Sequence, residues 1–261
     1  MPSHLYTWEN YHRFAKERGQ LVATILQQFT SLAEKKILDF GCGDGGTSRT
    51  LAQLGGEVFA VDIKSDLGNN FKASGVIFLN GNKNESYLEF QKYDIIILQD
   101  VLEHVPNPDV LIKKMKFALR NDGLVFISTP NRFSILNAIS DPHWNLPGVA
   151  LLPRTMVLFC VQKIFRRDLR QRSDWAALIS LNKLKKSLLR NDLEIIFVNT
   201  LVAKILFQDP YSVVCHPWHI QLVKWLKSRN MDRWIYQIVN DRAGLFNFLI
   251  NPTWYVVGRA K

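Results

Sequence analysis

The sequence is short of cysteine, of long apolar runs and of acid relative to base, and each shortage excludes something. Three cysteines occur in 261 residues. Cys42, Cys160 and Cys215 stand far apart, with no C-x-x-C pair and no zinc-ligand spacing, so a disulfide scaffold is excluded and a reducing, cytoplasmic setting is expected. No uninterrupted apolar run approaches the roughly 20 residues that a bilayer-spanning helix requires. The opening Met-Pro-Ser-His-Leu-Tyr-Thr-Trp-Glu-Asn lacks the basic start and apolar run of a secretory leader, and none is expected. Repeats, low-complexity tracts and linker-like stretches are absent as well, which predicts one domain over 1–261. Acidic residues number 23 against 33 Lys and Arg, a net charge of +10. That excess suits an anionic partner, whether nucleic acid, anionic lipid or a phosphorylated substrate.

What is present is an alternation of short apolar runs with helical patterns, in a chain whose 47% apolar content is enough for one sizeable core. Strands are predicted at Lys36 to Phe40, Glu57 to Asp62, Val76 to Leu79, Tyr93 to Leu98, Leu124 to Thr129, Leu193 to Val198 and Trp254 to Gly258. Between them fall helical segments at Gly46 to Leu54, Pro108 to Leu119 and Leu178 to Leu189. The second has proline in its first turn behind an Asn107 cap. A further helix over Glu9 to Phe29, with apolar positions at Phe14, Leu21, Ile25 and Leu26, precedes the first strand and is expected to cap a cleft. The pattern is α/β, a mostly parallel sheet covered by helices on both faces.

The most informative stretch is the first strand and the turn after it, Ile-Leu-Asp-Phe-Gly-Cys-Gly-Asp-Gly-Gly from Ile37 to Gly46. Glycines at Gly41, Gly43 and Gly45 allow a sharp bend and a close approach to a ligand, and the following helix aims its N-terminus at the site. Gly41, Gly43 and Gly46 also satisfy G-x-G-x-x-G, and Asp62 ends the next strand where a ribose-binding acid is expected, so the glycines do not distinguish the nucleotide cofactors. Asp39 and Asp44 do. A dinucleotide would bring a pyrophosphate against two carboxylates, whereas S-adenosylmethionine presents an ammonium and a sulfonium, which acids attract.

The run Asp39-x-Gly41-x-Gly43-x-Gly45, followed by Ala-Val-Asp62-Ile, resembles the class I S-adenosylmethionine-dependent methyltransferases. The resemblance covers Lys36 to Thr129 by motif, and Leu178 to Val198 and Trp254 to Lys261 by pattern. It implies a doubly wound, Rossmann-like seven-stranded sheet with the last strand antiparallel. It places Asp39, Gly41, Cys42, Gly43 and Gly45 around the methionine part, Asp62 on the ribose, Ile63 against the adenine and Gln99 beside the cleft. Asn82 occupies the place where the family often carries an acid for the adenine amine. On this division 1–35 is a helical cap, 36–129 the cofactor half, 130–177 a lid or substrate insertion and 178–261 a C-terminal half with an insertion at 200–252.

After the fourth strand comes Leu98-Gln-Asp-Val-Leu-Glu-His-Val-Pro-Asn-Pro, which resembles the corresponding loop of the ubiquinone-biosynthesis O-methyltransferases. It lacks the Asn/Asp-Pro-Pro-aromatic tetrad of the amine-methylating enzymes, which argues against a nucleic-acid substrate. In the quinone enzymes a carboxylate followed by a Glu-His pair is associated with a divalent metal near the substrate oxygen. Asp100, Glu103 and His104 match that spacing, and a metal such as Mg held there would lower the pKa of an acceptor hydroxyl. Without a metal, His143 or His104 is the candidate base for that proton.

The insertions at 130–177 and 200–252 are the expected sites of acceptor recognition. Met156 to Phe165 is an apolar segment followed by Arg166, Arg167, Arg170 and Arg172. It reads first as a lid with a solvated edge and second as a peripheral contact with anionic membrane. Trp218 and Trp225, at helical spacing, read as fillers of a core or a lipid-like pocket. The expected function is methyl transfer from S-adenosylmethionine to a small acceptor of lipid, quinone or glycan type, with oxygen as the acceptor atom. Two alternatives stand beside it: an NAD-dependent oxidoreductase, and a non-catalytic cofactor-binding protein with a membrane- or partner-binding basic surface.

Overall fold

Along the central strands, consecutive side chains pass to opposite faces of the sheet, and both faces are apolar. In β4 (Tyr93–Gln99), Tyr93, Ile96 and Leu98 join one buried layer while Ile95 and Ile97 join the other. In β5 (Leu119–Pro130), Val125 and Ile127 oppose Leu124 and Phe126 in the same way. Such two-sided burial, worth ~1.5–3 kcal/mol per large apolar side chain removed from water, requires helices above and below.

The computed structural model describes residues 3–64, 68, 71, 74–81, 87–139, 141, 143, 146–159, 176–214 and 217–261. Asn82, Cys160, Cys215 and the arginines from Arg166 to Arg172 lie outside the described residues. The remaining strands are β1 (Lys36–Phe40), β2 (Glu57–Asp62), β3 (Ile77–Asn80), β6 (Leu193–Phe197) and β7 (Thr253–Ala260). They form one seven-stranded sheet in the order β3-β2-β1-β4-β5-β7-β6. All neighbours are parallel except β7, which runs antiparallel to both β5 and β6. β5 begins five residues earlier than its apolar run suggests, because Leu119 pairs with Tyr93 across an irregularity before the regular register starts at Ile95 and Leu124.

One apolar layer holds α1 (Ser3–Leu26), α2 (Gly46–Gln53) and α7 (Asn199–Gln208); the other holds α3 (Pro108–Ala118) and α6 (Leu181–Arg190), with the short helices α4 (Ile135–Ile139) and α5 (Arg154–Phe159) between β5 and α6. Helix ends follow local capping chemistry. Asn107 accepts from the Val110 N–H at 3.4 Å, with Pro108 in the first turn of α3. Ser180 accepts from the Lys183 N–H at 3.3 Å and starts α6 later than its apolar pattern begins. The chain leaves β1 for α2 on one face and β4 for α3 on the other. A crevice therefore opens at the carboxyl ends of β1 and β4, where such sheets bind ligands.

The expected cap is α1, whose last turns bury Leu21, Val22, Ile25 and Leu26 almost completely. It reaches the crevice because two glycines face each other: a Cβ on Gly19 would lie 2.9 Å from the Gly46 carbonyl, and one on Gly46 only 2.3 Å from that of Ala15. Gly46→Ala should therefore push α1 away from α2 and destabilise the fold by about 1–3 kcal/mol. Denaturant unfolding and limited proteolysis of α1 would read this, and an unchanged midpoint would contradict the close helix crossing.

Candidate active site

The glycine turn after β1 bends as its sequence requires. Gly41, Gly43 and Gly45 all have left-handed backbones, at φ 76°, 50° and 75°. The neighbours that forbid a side chain are parts of the protein itself. A Cβ on Gly41 would strike Val101 at 2.6 Å, and one on Gly45 the Phe71 ring at 2.2 Å. The Gly41 and Cys42 N–H groups donate to the Val61 carbonyl. The Gly43 N–H donates to Asp62 Oδ2 at 3.1 Å, and the Lys64 N–H donates to Asp62 Oδ1 at 3.0 Å. Asp62 is thereby fixed at the end of β2, with Ile63 beside it 66% exposed at the rim. Cys42 contributes no nucleophile, since burial first, then Asp39 and Asp62, drives its thiol pKa far up.

Asp39 lies beneath the turn rather than in the open crevice. It is 2% exposed and accepts from Ser48 Oγ, in the first turns of α2, at 2.5 Å. Burial pushes its pKa up to about 6; the Ser48 hydrogen bond opposes this and the Asp62 charge adds to it.

At the end of β4 the structure adds a residue that sequence reasoning did not single out. Arg18 of α1 forms an ion pair with Asp100 and donates from Nη2 to Ser128 Oγ at 3.2 Å. With the Gln99 amide oriented so that its nitrogen donates to Thr47 Oγ1 at 2.6 Å, its oxygen accepts from Arg18 Nε at 3.0 Å. Ser128 Oγ donates in turn to Asp100 Oδ1 at 2.8 Å. Nothing local marks Arg18 in the sequence, because its partner lies 82 residues away. Asp100 itself has a left-handed backbone, φ 54°, which turns the chain sharply off the strand. Burial alone would raise its pKa, but Arg18 and Ser128 outweigh that and hold it below the ordinary aspartate value.

The proposed metal set of Asp100, Glu103 and His104 is not what converges. Asp100 faces a guanidinium, and among the described residues the three with ligand atoms within 4.8 Å of one another are Glu103, His104 and His143. Glu103 is fully buried, accepts from Thr129 Oγ1 at 3.1 Å and lies 3.9 Å from His143 Nε2 through its other oxygen. Burial, reinforced by the Asp100 charge, raises its pKa well above the usual carboxylate range. The His104 and His143 rings meet edge to face, with centroids 5.0 Å apart. His143 is reached from a different loop, and its backbone N–H donates to Oδ1 of the buried Asp141 at 2.8 Å. The two carboxyl groups at this edge are thus pushed in opposite directions, Asp100 toward the carboxylate and Glu103 toward the acid form.

Comparison with known proteins bears on this geometry. A family model described as a methyltransferase domain matches residues 9–196. A ubiquinone biosynthesis O-methyltransferase of Glaesserella parasuis is 37% identical over 122 residues, 42% of this chain and 52% of that protein. A second one, from Hydrogenovibrio crunogenus, is 33% identical over 114 residues, 41% of this chain and 47% of that protein. The chain spans about half the length of the curated relatives it matches. The crystal structure of an S-adenosylmethionine dependent methyltransferase from Mesorhizobium loti aligns over 90% of this chain and 95% of its own, with TM-score 0.57 and 15% identity, a likeness of fold.

Asp39 generates a pH signature. A cationic ligand near it favours the carboxylate, so binding expels its proton and affinity should rise with pH, approaching about tenfold per unit below 6 and flattening above it. The same raised pKa lowers folding stability as pH rises from 3.8 to about 6, because the folded chain keeps the proton longer. Calorimetry with S-adenosylhomocysteine from acid to neutral pH would read the first effect. A pH-independent affinity, or one that Asp39→Asn leaves pH-dependent, would remove Asp39 from cofactor recognition.

Proposed function

The chain belongs to the class I S-adenosylmethionine-dependent methyltransferases, and from that premise we propose that it methylates the oxygen of a small hydroxylated acceptor of quinone or lipid type. The observation that carries the reading is the meeting of Glu103, His104 and His143 at the edge that also holds Arg18 and Asp100. The names of the ubiquinone-pathway relatives support oxygen as the acceptor atom and a quinone-related acceptor. The dinucleotide alternative is disfavoured by the family match and by the buried Asp39 under the turn.

The residues present suit the cofactor. Its amino-acid end is a zwitterion, and Arg18 with Asp100, whose side chain keeps 31% of its surface exposed, offers a cation for the carboxylate and an anion for the ammonium. Asp62 accepts from the ribose hydroxyls with lone pairs left over from its two backbone bonds. Ile63 presents an apolar surface at the rim for the adenine. When bound, the cofactor supplies the methyl group: the carbon–sulfur bond breaks as the oxygen–carbon bond forms, and the cationic sulfur becomes a neutral thioether.

The protein's own tasks are alignment, exclusion of water and removal of the acceptor proton. His143 takes that proton. Glu103, too buried to touch the acceptor, acts through His143 as a positioning residue, its Oε1 lying 3.9 Å from the ring Nε2. His143→Ala should lower kcat by roughly 10²–10⁴ while leaving the affinity for S-adenosylmethionine unchanged. Glu103→Gln should displace the acid limb of the kcat pH profile. Labelled methyl transfer to a panel of hydroxylated quinone precursors is the assay, and an unaffected His143→Ala would end the assignment.

A second reading is favoured by the ligand atoms of Glu103, His104 and His143 lying within 4.8 Å of one another. Two imidazoles and one carboxylate suit Zn, Mn, Fe or Ni better than Mg, which prefers oxygen ligands. A bound metal would act as a Lewis acid toward the acceptor oxygen. Metal analysis of the purified protein and calorimetric titration with Zn and Mn would test it. Full turnover after exhaustive chelation, with no stoichiometric metal uptake, would leave the acid–base reading alone.

A further inference from the structure

The segment beyond the family match grows from the edge that carries the site. β6 runs parallel to β5 and ends at the carboxyl edge, β7 returns from it, and the helices between them therefore stand beside the crevice. Helix α7 and the short 3₁₀ turn Pro210–Ser212 pack against α1, and α8 (Pro217–Ser228) packs on that turn and on α9 (Met231–Ile238).

The α8–α9 hairpin has an outer surface that does not fit a core. Trp225 is 52% exposed and Trp234 57%, with Leu222 at 39% next to Trp225 on α8, and α9 buries none of its residues. This corrects the expectation that Trp225 fills a core or pocket; the side chain of Trp218 is outside the described residues. Lys224, Lys227, Arg229 and Arg233 on the same hairpin are all exposed, Lys224 donating to the Tyr211 hydroxyl at 3.0 Å, and Asp232 is the single acid between Pro217 and Val239. Arg229 lies over the Trp225 ring, 5.9 Å from its centroid.

Exposed tryptophans set among cations have the chemistry of the bilayer interface, where an indole sits at the headgroup level and basic side chains meet lipid phosphates. We propose that the α8–α9 hairpin docks on the surface of an anionic lipid bilayer, with Trp225, Trp234 and Leu222 at the acyl boundary and Lys224, Lys227, Arg229 and Arg233 on the phosphates. Charge complementarity selects this occupant over a second copy of the chain, which would bring four cations against four. Docking turns the side of the molecule that carries the crevice toward the membrane. Its benefit, access to an acceptor dissolved in lipid, rests on the proposed function, whereas the docking itself does not.

Cosedimentation of the full chain with phosphatidylglycerol-containing vesicles, against pure phosphatidylcholine vesicles, tests the docking without cofactor or acceptor. Binding to the anionic vesicles alone is expected, weakening with salt and accompanied by a blue shift of tryptophan fluorescence. Trp225→Ala with Trp234→Ala should reduce partitioning by at least about tenfold. Lys227→Glu with Arg233→Glu should do the same with the tryptophans intact, and methylation of a water-soluble acceptor should persist in both. Failure of the wild-type chain to bind, equal binding by both double variants, dimerisation through the hairpin, or preferential binding of RNA over vesicles would each overturn the proposal.

Discussion

A single guanidinium joins parts of this chain that are far apart in sequence. Arg18 comes from the C-terminal half of α1, and it is held by Asp100 and Gln99 at the end of β4 and by Ser128 near the end of β5. Burying a cation among these groups costs desolvation, offset only if its partners hold good geometry. That condition is met from below by the crossing of α1 and α2 at Gly19 and Gly46, where neither helix can carry a side chain. The cap, the glycine turn and the carboxyl edge of the sheet are therefore one mechanical unit, with the crevice between them.

The same pair sets the electrostatics of the next loop. Arg18 favours the carboxylate of Asp100, and complete burial of Glu103, reinforced by that negative charge, pushes its pKa well above the usual range. Two carboxyl groups three residues apart are thus shifted in opposite directions, and the left-handed backbone at Asp100 turns the chain sharply between them.

Outside the crevice, buried asparagines tie the C-terminal segment to the rest. Asn131 donates to the Phe248 and Asn251 carbonyls, and Asn137 to that of Pro252. Asn199 and Asn247 donate to the carbonyls of Asn240 and Arg242. These side chains satisfy backbone acceptors that an irregular segment would otherwise leave buried and unpaired. They also connect the loop after β5, which leads to Asp141 and His143, to the segment between α9 and β7.

The sheet, its helical layers, the glycine turn and Asp62 were legible because each rests on a local signal: period-two burial, a capping side chain, a residue that tolerates positive φ, an acid at a strand end. Strand limits were less so, since β5 extends through Leu119 by pairing with Tyr93 rather than by its own apolar pattern. Spacing in the loop after β4 suggested Asp100, Glu103 and His104 as one cluster. Three-dimensional packing gave Asp100 to Arg18 and brought in His143 from forty residues downstream, because which groups meet across a crevice depends on helix crossings and loop turns that no short segment encodes. By itself the sequence determined the α/β scaffold and the glycine turn at its carboxyl edge, both consequences of local periodicity and backbone freedom. Tertiary structure alone decided which charges are paired, which carboxyl is pushed toward its acid form and which tryptophans face outward, since those follow from burial and long-range contact.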